Sequence, residues 1–376
     1  MYLQAGIQLI LEENDLLYTI ALTHSSGIGD IIAKRLIAHC GSVSEVFRTR
    51  QQLLLKIPGI GISVVNALKD KSNLKRAEKE IAFIEKNRIK SYYFLHEAYP
   101  DYLKNCYDAP VLLFSKGNIA LKNRKVISIV GTRQITAYGK VVLEQFFEDI
   151  KGHDPVIVSG LAYGVDIYAH RLALQHNLQT VAILAHGLDR IYPAVHKKYV
   201  DKMLSNGGIM TDYRSETQPD RENFVKRNRI IAGLSQATIV IESAEKGGSL
   251  ITADIANSYN RDVFAFPGRI TDTYSAGCNK LIKTNRAAVL TSAKDLAYLL
   301  NWQEETGVKA VQKQLFVELT EEEQHIYNYL LKEGKQQLDM IALHCNMPIF
   351  KMATTLLNLE LKGVIKPMPG KIFEAI

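Results

Sequence analysis

The chain has 376 residues, of which 47% are hydrophobic and 23% are charged, and this composition excludes a disordered or fibrous protein. Its length predicts two or three domains, one of them large enough for a six- or seven-stranded sheet. Lysine and arginine outnumber aspartate and glutamate by 46 to 39, and the resulting net charge of +7 favours a polyanionic partner.

Cysteine usage and hydropathy indicate the compartment. The cysteines are scattered singly, which argues against a zinc site or a disulfide framework, so we expect reduced thiols, no metal and no cofactor. The sequence shows no apolar run of roughly 18 residues and no basic region followed by a hydrophobic one at its start. These patterns predict a cytoplasmic protein that does not contact a membrane. The four cysteines are Cys40, Cys106, Cys278 and Cys345.

Residues 1–90 are predicted to form a helical domain with two similar phrases, Leu22–Gly29 and Leu55–Gly61. Each precedes a helical apolar pattern, and the pair resembles a tandem helix-hairpin-helix, in which glycines let backbone N–H groups approach a phosphate. An alternative remains open, in which the glycines only make tight interhelical turns. Asp30, which follows the first phrase, would repel a phosphate and favours that alternative.

Residues 91–300 are predicted to form an extended Rossmann-like domain. A charged helical stretch leads into it, followed by a connector around Tyr99 to Gly117 that contains a short extended region. From Lys125 a β-run, a glycine turn and a helix recur several times, which indicates an α/β fold with a doubly wound, mostly parallel sheet. The predicted strands are Val126–Val130, Val156–Ser159, Val181–Leu184, Ile209–Thr211, Thr238–Ile241, Val263–Phe266 and Ala288–Leu290.

A linker over residues 301–318 and a winged-helix domain over residues 319–376 complete the prediction. Thr320 and Glu323 form a capping box that opens a helix burying Ile326, Leu330 and Leu331. Two more helices and a hairpin around Pro369 and Gly370 give the winged-helix outline. The third helix, 349–362, is mostly apolar with Lys351 and Lys362 as its cations, so contact with protein and contact with duplex DNA both remain open.

The first strand-to-helix turn of the predicted sheet carries Gly131 and Arg133. The turn is not Gly-x-Gly-x-x-Gly, and no acidic residue ends the second strand, so dinucleotide binding is disfavoured. Arg133 instead places a fork-shaped cation at the carboxyl end of a buried strand, where a phosphate could be held bidentately. The alternative is a surface arginine paired with a neighbouring carboxylate.

The second turn contains Ser159 and Gly160, followed by Asp166 and His170 one helical turn apart. That pair could be an acid/base or metal site, but no third metal ligand is identified. Helix capping and packing are the preferred interpretation.

The stretch before the predicted strand Thr238–Ile241 contains three cations within four positions. Lys226, Arg227, Asn228 and Arg229 are predicted on a loop at the edge of the sheet, where their mutual repulsion calls for a polyanion or carboxylates. We expect Arg133, Arg227 and Arg229 to converge there. A glycine loop, Gly247-Gly248-Ser249, is predicted to expose backbone donors on the same side. The candidates for base stacking are Tyr163, Tyr192 and Phe224.

Six motifs in this order resemble the DprA (Smf) family of bacterial DNA-processing proteins. They are Gly131-Thr132-Arg133, Ser159-Gly160-Leu161-Ala162, Gly187-Leu188-Asp189 with Tyr192-Pro193, Arg227–Ser235, Gly247–Ala253 and Phe266–Arg269. The resemblance implies a homodimer that binds incoming single-stranded DNA, protects it and loads the RecA recombinase during natural transformation. It maps a DNA pocket onto Arg133, Ser159, Gly160, Lys226, Arg227, Asn228, Arg229, Gly247, Gly248 and Ser249, beside Gly131.

The alternative is an enzyme that resembles the Rossmann-like nucleoside-monophosphate phosphoribohydrolases. Those enzymes carry Pro-Gly-Gly-x-Gly-Thr-x-x-Glu with a catalytic glutamate. Here Gly247-Gly248 has no preceding proline, and Ala253-Asp254 stands where the glutamate is needed. We therefore expect a binding protein without catalytic residues.

Overall fold

The computed structural model describes residues 13–302, 319–368 and 371–375, and the chain divides into two compact units, Met1–Glu304 and Glu305–Ile376. None of the helices in these ranges is long and apolar enough to cross a membrane. The predicted turn at Pro369 and Gly370, and residues 303–318 of the predicted linker, lie outside the described residues.

The first unit begins with six helices that include both glycine phrases. Gly29 and Gly61 stand at the N-caps of the helices that follow each phrase. The helices bury an apolar core. Leu112 and Phe114, which belong to the central sheet described next, are part of one apolar cluster with these helices. The six are α1 (Glu13–Thr23), α2 (Asp30–Cys40), α3 (Val43–Arg48), α4 (Gln51–Leu54), α5 (Ile62–Lys69) and α6 (Ser72–Lys86).

A nine-stranded sheet forms the centre of the first unit, with seven parallel strands and two antiparallel ones at one edge. In chain order the strands are β1 (Lys90–Tyr93), β2 (Leu112–Asn118), β3 (Val126–Val130), β4 (Val156–Ser159), β5 (Thr180–Ile183), β6 (Gly207–Thr211), β7 (Ala237–Val240), β8 (Asp262–Ala265) and β9 (Ala288–Val289).

The strand order β1-β2-β6-β5-β4-β3-β7-β8-β9 confirms the doubly wound prediction. The parallel strands match the predicted ones to within two residues at each end, because all of them except the short β9 contain apolar runs that are buried on both faces. The extended region predicted before Gly117 is more than part of a connector, because Leu112–Asn118 is strand β2 and pairs with β6.

Helices cover both faces of the sheet and bury two large apolar clusters against it. They are α7 (Asp101–Lys104), α8 (Ala137–Ile150), α9 (Val165–Gln175), α10 (Lys197–Met203), α11 (Arg221–Leu234), α12 (Gly248–Ser258), α13 (Ala276–Lys283) and α14 (Ala293–Leu299), with 3-10 turns at Lys151–His153 and Ala194–His196.

The second unit is the winged helix that the sequence predicts. The capping box between Thr320 and Glu323 opens its first helix, and Ile326 and Leu330 are buried. Leu331 is 57% exposed, so its predicted burial was wrong; it follows Leu330 directly and therefore turns away from the face that Ile326 and Leu330 share. The elements are α15 (Glu321–Glu333), β10 (Gln336–Gln337), α16 (Leu338–His344), α17 (Ile349–Leu361), β11 (Ile365–Met368) and β12 (Ile372–Ala375).

Candidate nucleic-acid interface

A cleft of about 400 Å³ opens at the carboxyl ends of β3, β4 and β7. Strands β4, β5 and β6 follow β3 on one side of the sheet, and β7, β8 and β9 follow it on the other side. The direction of the strand order therefore reverses between β3 and β7. Doubly wound sheets bind ligands at such points. Its walls are Val130–Arg133, Ala162, Asp166, Arg221, Phe224, Val225, Arg227, Asn228, Ile231, Ala244, Lys246–Ser249, Ile251 and Thr252.

The turn that carries Arg133 is fixed by hydrogen bonds to Glu242 and by close packing against Gly164. Glu242, buried after β7, accepts hydrogen bonds from the backbone N–H and the hydroxyl of Thr136 at 2.9 and 2.6 Å. The backbone N–H of Thr132 donates to the carbonyl of Glu242 at 2.7 Å. Gly164 packs against the turn, and a Cβ there would lie 2.2 Å from the carbonyl oxygen of Thr132. The backbone of the Arg133 turn is therefore fixed before any ligand binds.

The glycine loop before α12 lies on the opposite wall. Gly247 is the N-cap of this 11-residue helix, and a Cβ on it would lie 2.2 Å from the hydroxyl oxygen of Ser243. The hydroxyl of Ser249 donates to that of Ser243 at 2.9 Å. The first-turn N–H groups of α12 therefore stand beside the cleft, a favourable position for an anion.

Exposed cations line the same cleft. Arg133, Arg221 and Lys246 are exposed, and none of them forms an ion pair within the described ranges. The guanidinium of Arg133 lies 5.7 Å from the ring centroid of Phe224, a cation–π contact. These three side chains are therefore available to phosphates.

Arg227 lies at the base of the cleft and is only 5% exposed. Its guanidinium donates to the carbonyl of Ile183, and its Nε donates to Asn228 Oδ1 at 3.3 Å. A Cβ on Gly160 would lie 2.3 Å from Asp166 Oδ2 and 2.7 Å from Arg227 Nη2, so Gly160 makes room for both side chains. Burial raises the pKa of Asp166, and the positive charge of Arg227 opposes that shift.

The structure brings together seven of the eleven predicted site residues: Gly131, Arg133, Arg227, Asn228, Gly247, Gly248 and Ser249. Ser159 lies beneath the cleft with its hydroxyl donated to the carbonyl of Ile129 at 2.6 Å, and Gly160 packs beside Arg227. Lys226 does not line the cleft and lies 3.5 Å from Glu222.

Arg229 contacts a different part of the unit. Its guanidinium lies 2.6 Å from Asp212 and 2.9 Å from Asp30, which is in α2. The predicted convergence of three arginines is therefore wrong for Arg229. The stretch is helix α11 rather than a loop, and residues 227 and 229, two apart in a helix, point to nearly opposite sides. Asp30 also accepts from the backbone N–H of Val111 at 2.8 Å, so the first residue of α2 is bound to the core through both Arg229 and Val111.

Arg221, Phe224 and Lys246 complete the cleft. The sequence predicts Phe224 only as a stacking candidate and does not mark Arg221 or Lys246 as site residues. Arg221, Phe224 and Asn228 follow the i, i+3, i+7 spacing of one helix face, and that period would have grouped them. Lys246 directly precedes the predicted glycine loop.

Asp166 and His170 do not form an acid/base pair in the cleft. Asp166 lines it, but both nitrogens of His170 are engaged elsewhere, 2.6 Å from the hydroxyl of Thr180 and 2.6 Å from the carbonyl of Gly160. Packing is therefore the role of His170, as the sequence interpretation preferred. Within the described ranges, no group of three or more histidine, cysteine, aspartate or glutamate side chains is arranged to hold a metal ion.

Acid should destabilise the fold through this histidine. Burial lowers the pKa of His170 from 6.5 to about 4. The unfolded state binds the proton first, so the stabilisation is complete above pH 6.5 and is lost as the pH falls towards 4, by about 1.4 kcal/mol per pH unit. Urea unfolding of wild type and His170→Gln at a series of pH values tests this, with the exposed His39→Gln as control. The same pH dependence in wild type and His170→Gln would contradict it.

In the described part of the second unit, the two lysines of the predicted third helix form ion pairs. Lys351 in α17 pairs with Glu322, and Lys362, which directly follows α17, lies 2.6 Å from Glu323. Both lysines of the predicted third helix are thus neutralised by carboxylates of α15. This leaves the cleft of the first unit as the stronger candidate for binding a polyanion.

Fold and site together define a Rossmann-like α/β protein with a cationic cleft at the switch point of its sheet, joined to a C-terminal winged helix. The family model for DNA recombination-mediator protein A matches residues 90–301, and that for the DprA winged helix domain matches residues 313–371. The chain belongs to the DprA (Smf) family of DNA-processing proteins.

Relatives and solved structures agree with this assignment. DNA processing protein DprA of Bacillus subtilis is 42% identical over 200 residues, covering 53% of this chain and 67% of the relative. The structure of DprA from Streptococcus pneumoniae aligns with a TM-score of 0.62 at 31% identity, covering 75% of this chain and 97% of that one. A structure of DNA processing protein A from Helicobacter pylori, described for its single-stranded DNA binding mode, aligns with a TM-score of 0.52 at 28% identity, over 57% of this chain and 96% of that one.

Proposed function

We propose that this protein binds single-stranded DNA in the cleft between the Arg133 turn, α11 and the Gly247 loop. The observation that carries the proposal is that the exposed cations Arg133, Arg221 and Lys246 line one cleft together with the N-terminus of α12. Phosphates bind favourably to such a combination of charge and backbone donors. The described binding mode of the Helicobacter pylori relative supports the same ligand.

We further propose the cellular role that family membership suggests. The protein, as a homodimer in the cytoplasm, covers incoming single strands against nucleases and loads the RecA recombinase onto them during natural transformation. A cleft that holds the backbone through charge accepts any sequence, as this role requires. Stimulation of RecA filament formation on strands coated by a single-strand-binding protein tests the loading step, and sedimentation analysis tests the dimer.

We predict a sequence-independent preference for single strands with a steep salt dependence. Three to five phosphate contacts give a slope of log affinity against log salt of about −0.7 per phosphate on a single strand. Anisotropy titrations with single-stranded and duplex oligonucleotides at two salt concentrations measure both properties. Equal affinity for the duplex, or no response to salt, would refute the proposal.

We propose that the protein acts by binding and does not turn over nucleotides. His170 is bound on both nitrogens, which leaves Asp166 without a partner base in the cleft. A hydrolysis assay with ATP, NAD and nucleoside monophosphates belongs beside the titrations. Turnover that disappears in Asp166→Ala would instead support the phosphoribohydrolase alternative.

A further inference from the structure

Two partly exposed tyrosines, Tyr163 and Tyr192, belong to turns that adjoin the cleft. We propose that their rings are stacking platforms for unpaired bases on either side of the nucleotides held in the cleft, and that this stacking selects single strands over duplex. The inference rests on the proposed function and adds the surface that contacts the bases.

Tyr163 directly follows Ala162, which lines the cleft, and is 50% exposed. Its ring contacts His196 edge to face, with centroids 5.0 Å apart. His196 is only 4% exposed, and its Nδ1 lies 2.8 Å from the carbonyl of Leu161. The tyrosine ring is thus supported from below by a buried, hydrogen-bonded ring, while half of its surface remains open to a ligand.

Tyr192 extends the aromatic wall of the cleft outward. It is 47% exposed, and its ring centroid lies 6.0 Å from that of Phe224, which lines the cleft. Phe224 in turn lies against the guanidinium groups of Arg133 and Arg227, at 5.7 and 6.0 Å. Cations for the backbone and aromatic surface for the bases therefore adjoin along one path.

The chemistry of this path fits an unpaired base rather than a duplex. A single strand offers the flat faces of its bases to aromatic rings, and every base has such a face, so stacking is tolerant of sequence. In a duplex the same faces are stacked on neighbouring pairs and can reach a tyrosine only after unstacking. Phosphate contacts alone discriminate little between the two forms, so in this proposal the adjoining tyrosines supply the preference for single strands that the proposed function requires.

The test compares two strands on the full-length protein, a labelled oligothymidylate and an abasic strand of the same length. Wild type should bind the abasic strand more weakly. Tyr163→Ala and Tyr192→Ala should each lower affinity for oligothymidylate roughly 5- to 100-fold, with little change on the abasic strand or in the salt slope. Tyr163→Phe and Tyr192→Phe should restore binding. Tyr298→Ala, which removes a tyrosine that is 84% exposed on α14, is the matched control.

Equal wild-type affinity for the two strands would overturn the inference. This comparison uses only the wild-type protein, so its outcome does not depend on whether a variant folds. An alanine variant that loses the same factor on both strands would also overturn it, because the loss would then come from the shape of the cleft. If wild type binds neither strand, the proposed function fails and the stacking proposal fails with it.

Discussion

Arg133→Ala combined with Lys246→Ala is expected to weaken binding of single-stranded DNA roughly 100- to 20,000-fold. Both side chains are exposed, line the cleft and form no ion pair among the described residues. A hydrogen bond from a charged donor contributes about 1.5 to 3 kcal/mol, so the loss of two should cost about 3 to 6 kcal/mol of binding free energy. The salt slope should also fall by about 1.4, which is 0.7 for each lost phosphate contact.

A matched control removes two cations from the same unit but away from the cleft. Lys283 in α13 and Lys294 in α14 are exposed and do not line it. Lys283→Ala with Lys294→Ala should bind almost as wild type in the same anisotropy titration. Normal affinity and an unchanged salt slope in the Arg133/Lys246 variant would show that DNA binds elsewhere.

Arg229→Ala is expected to lower the free energy of unfolding by about 3 to 5 kcal/mol, because it leaves buried carboxylates without their counter-ion. The side chains of Arg229 and Asp212 are only 15% and 12% exposed. Burial alone would lower the pKa of Arg229. The negative charges of Asp212 and Asp30 outweigh the effect of burial, so the pKa of Arg229 is raised. Asp30 comes from α2, so the variant should also loosen the N-terminal helices from the core.

Urea unfolding measures this effect, and two further variants define its origin. Arg124→Ala removes an exposed ion pair with Asp154 and should cost less than about 1 kcal/mol. Arg229→Lys keeps the charge and should recover part of the stability. Arg229→Ala should retain single-strand affinity under conditions in which it remains folded. A variant of wild-type stability that has lost DNA binding would assign Arg229 to the interface instead.

The sequence predicted most of the sheet because β3 to β8 are mainly runs of buried apolar residues that follow one another between turns and helices. It predicted no strand at β1 and only a short extended region at β2, because the pairing of β1 with β2 and of β2 with β6 depends on distant parts of the chain. Their register is set by tertiary contacts rather than by a local pattern.

The cleft was predictable in its loops and less so in its helix. Gly131, Arg133 and the Gly247 loop follow strands directly, so their position at the carboxyl edge follows from the parallel sheet. The charge pattern predicts a loop at residues that form helix α11. Counting charges cannot show that Arg227 and Arg229 face opposite sides of a helix. The ion pair of Arg229 with Asp30 joins residues that are far apart in the chain, and no local pattern marks such a pair.

The position of bound DNA on the full-length chain tests the central claim most directly. A single strand containing 5-bromouracil, cross-linked by ultraviolet light and mapped by mass spectrometry of the peptides, reports which residues lie beside the bases. We predict cross-links within 131–138, 160–164, 190–196, 221–228 and 244–249. Cross-links confined to the N-terminal helices, 13–86, or to the winged helix, 320–375, would contradict the assignment of the cleft.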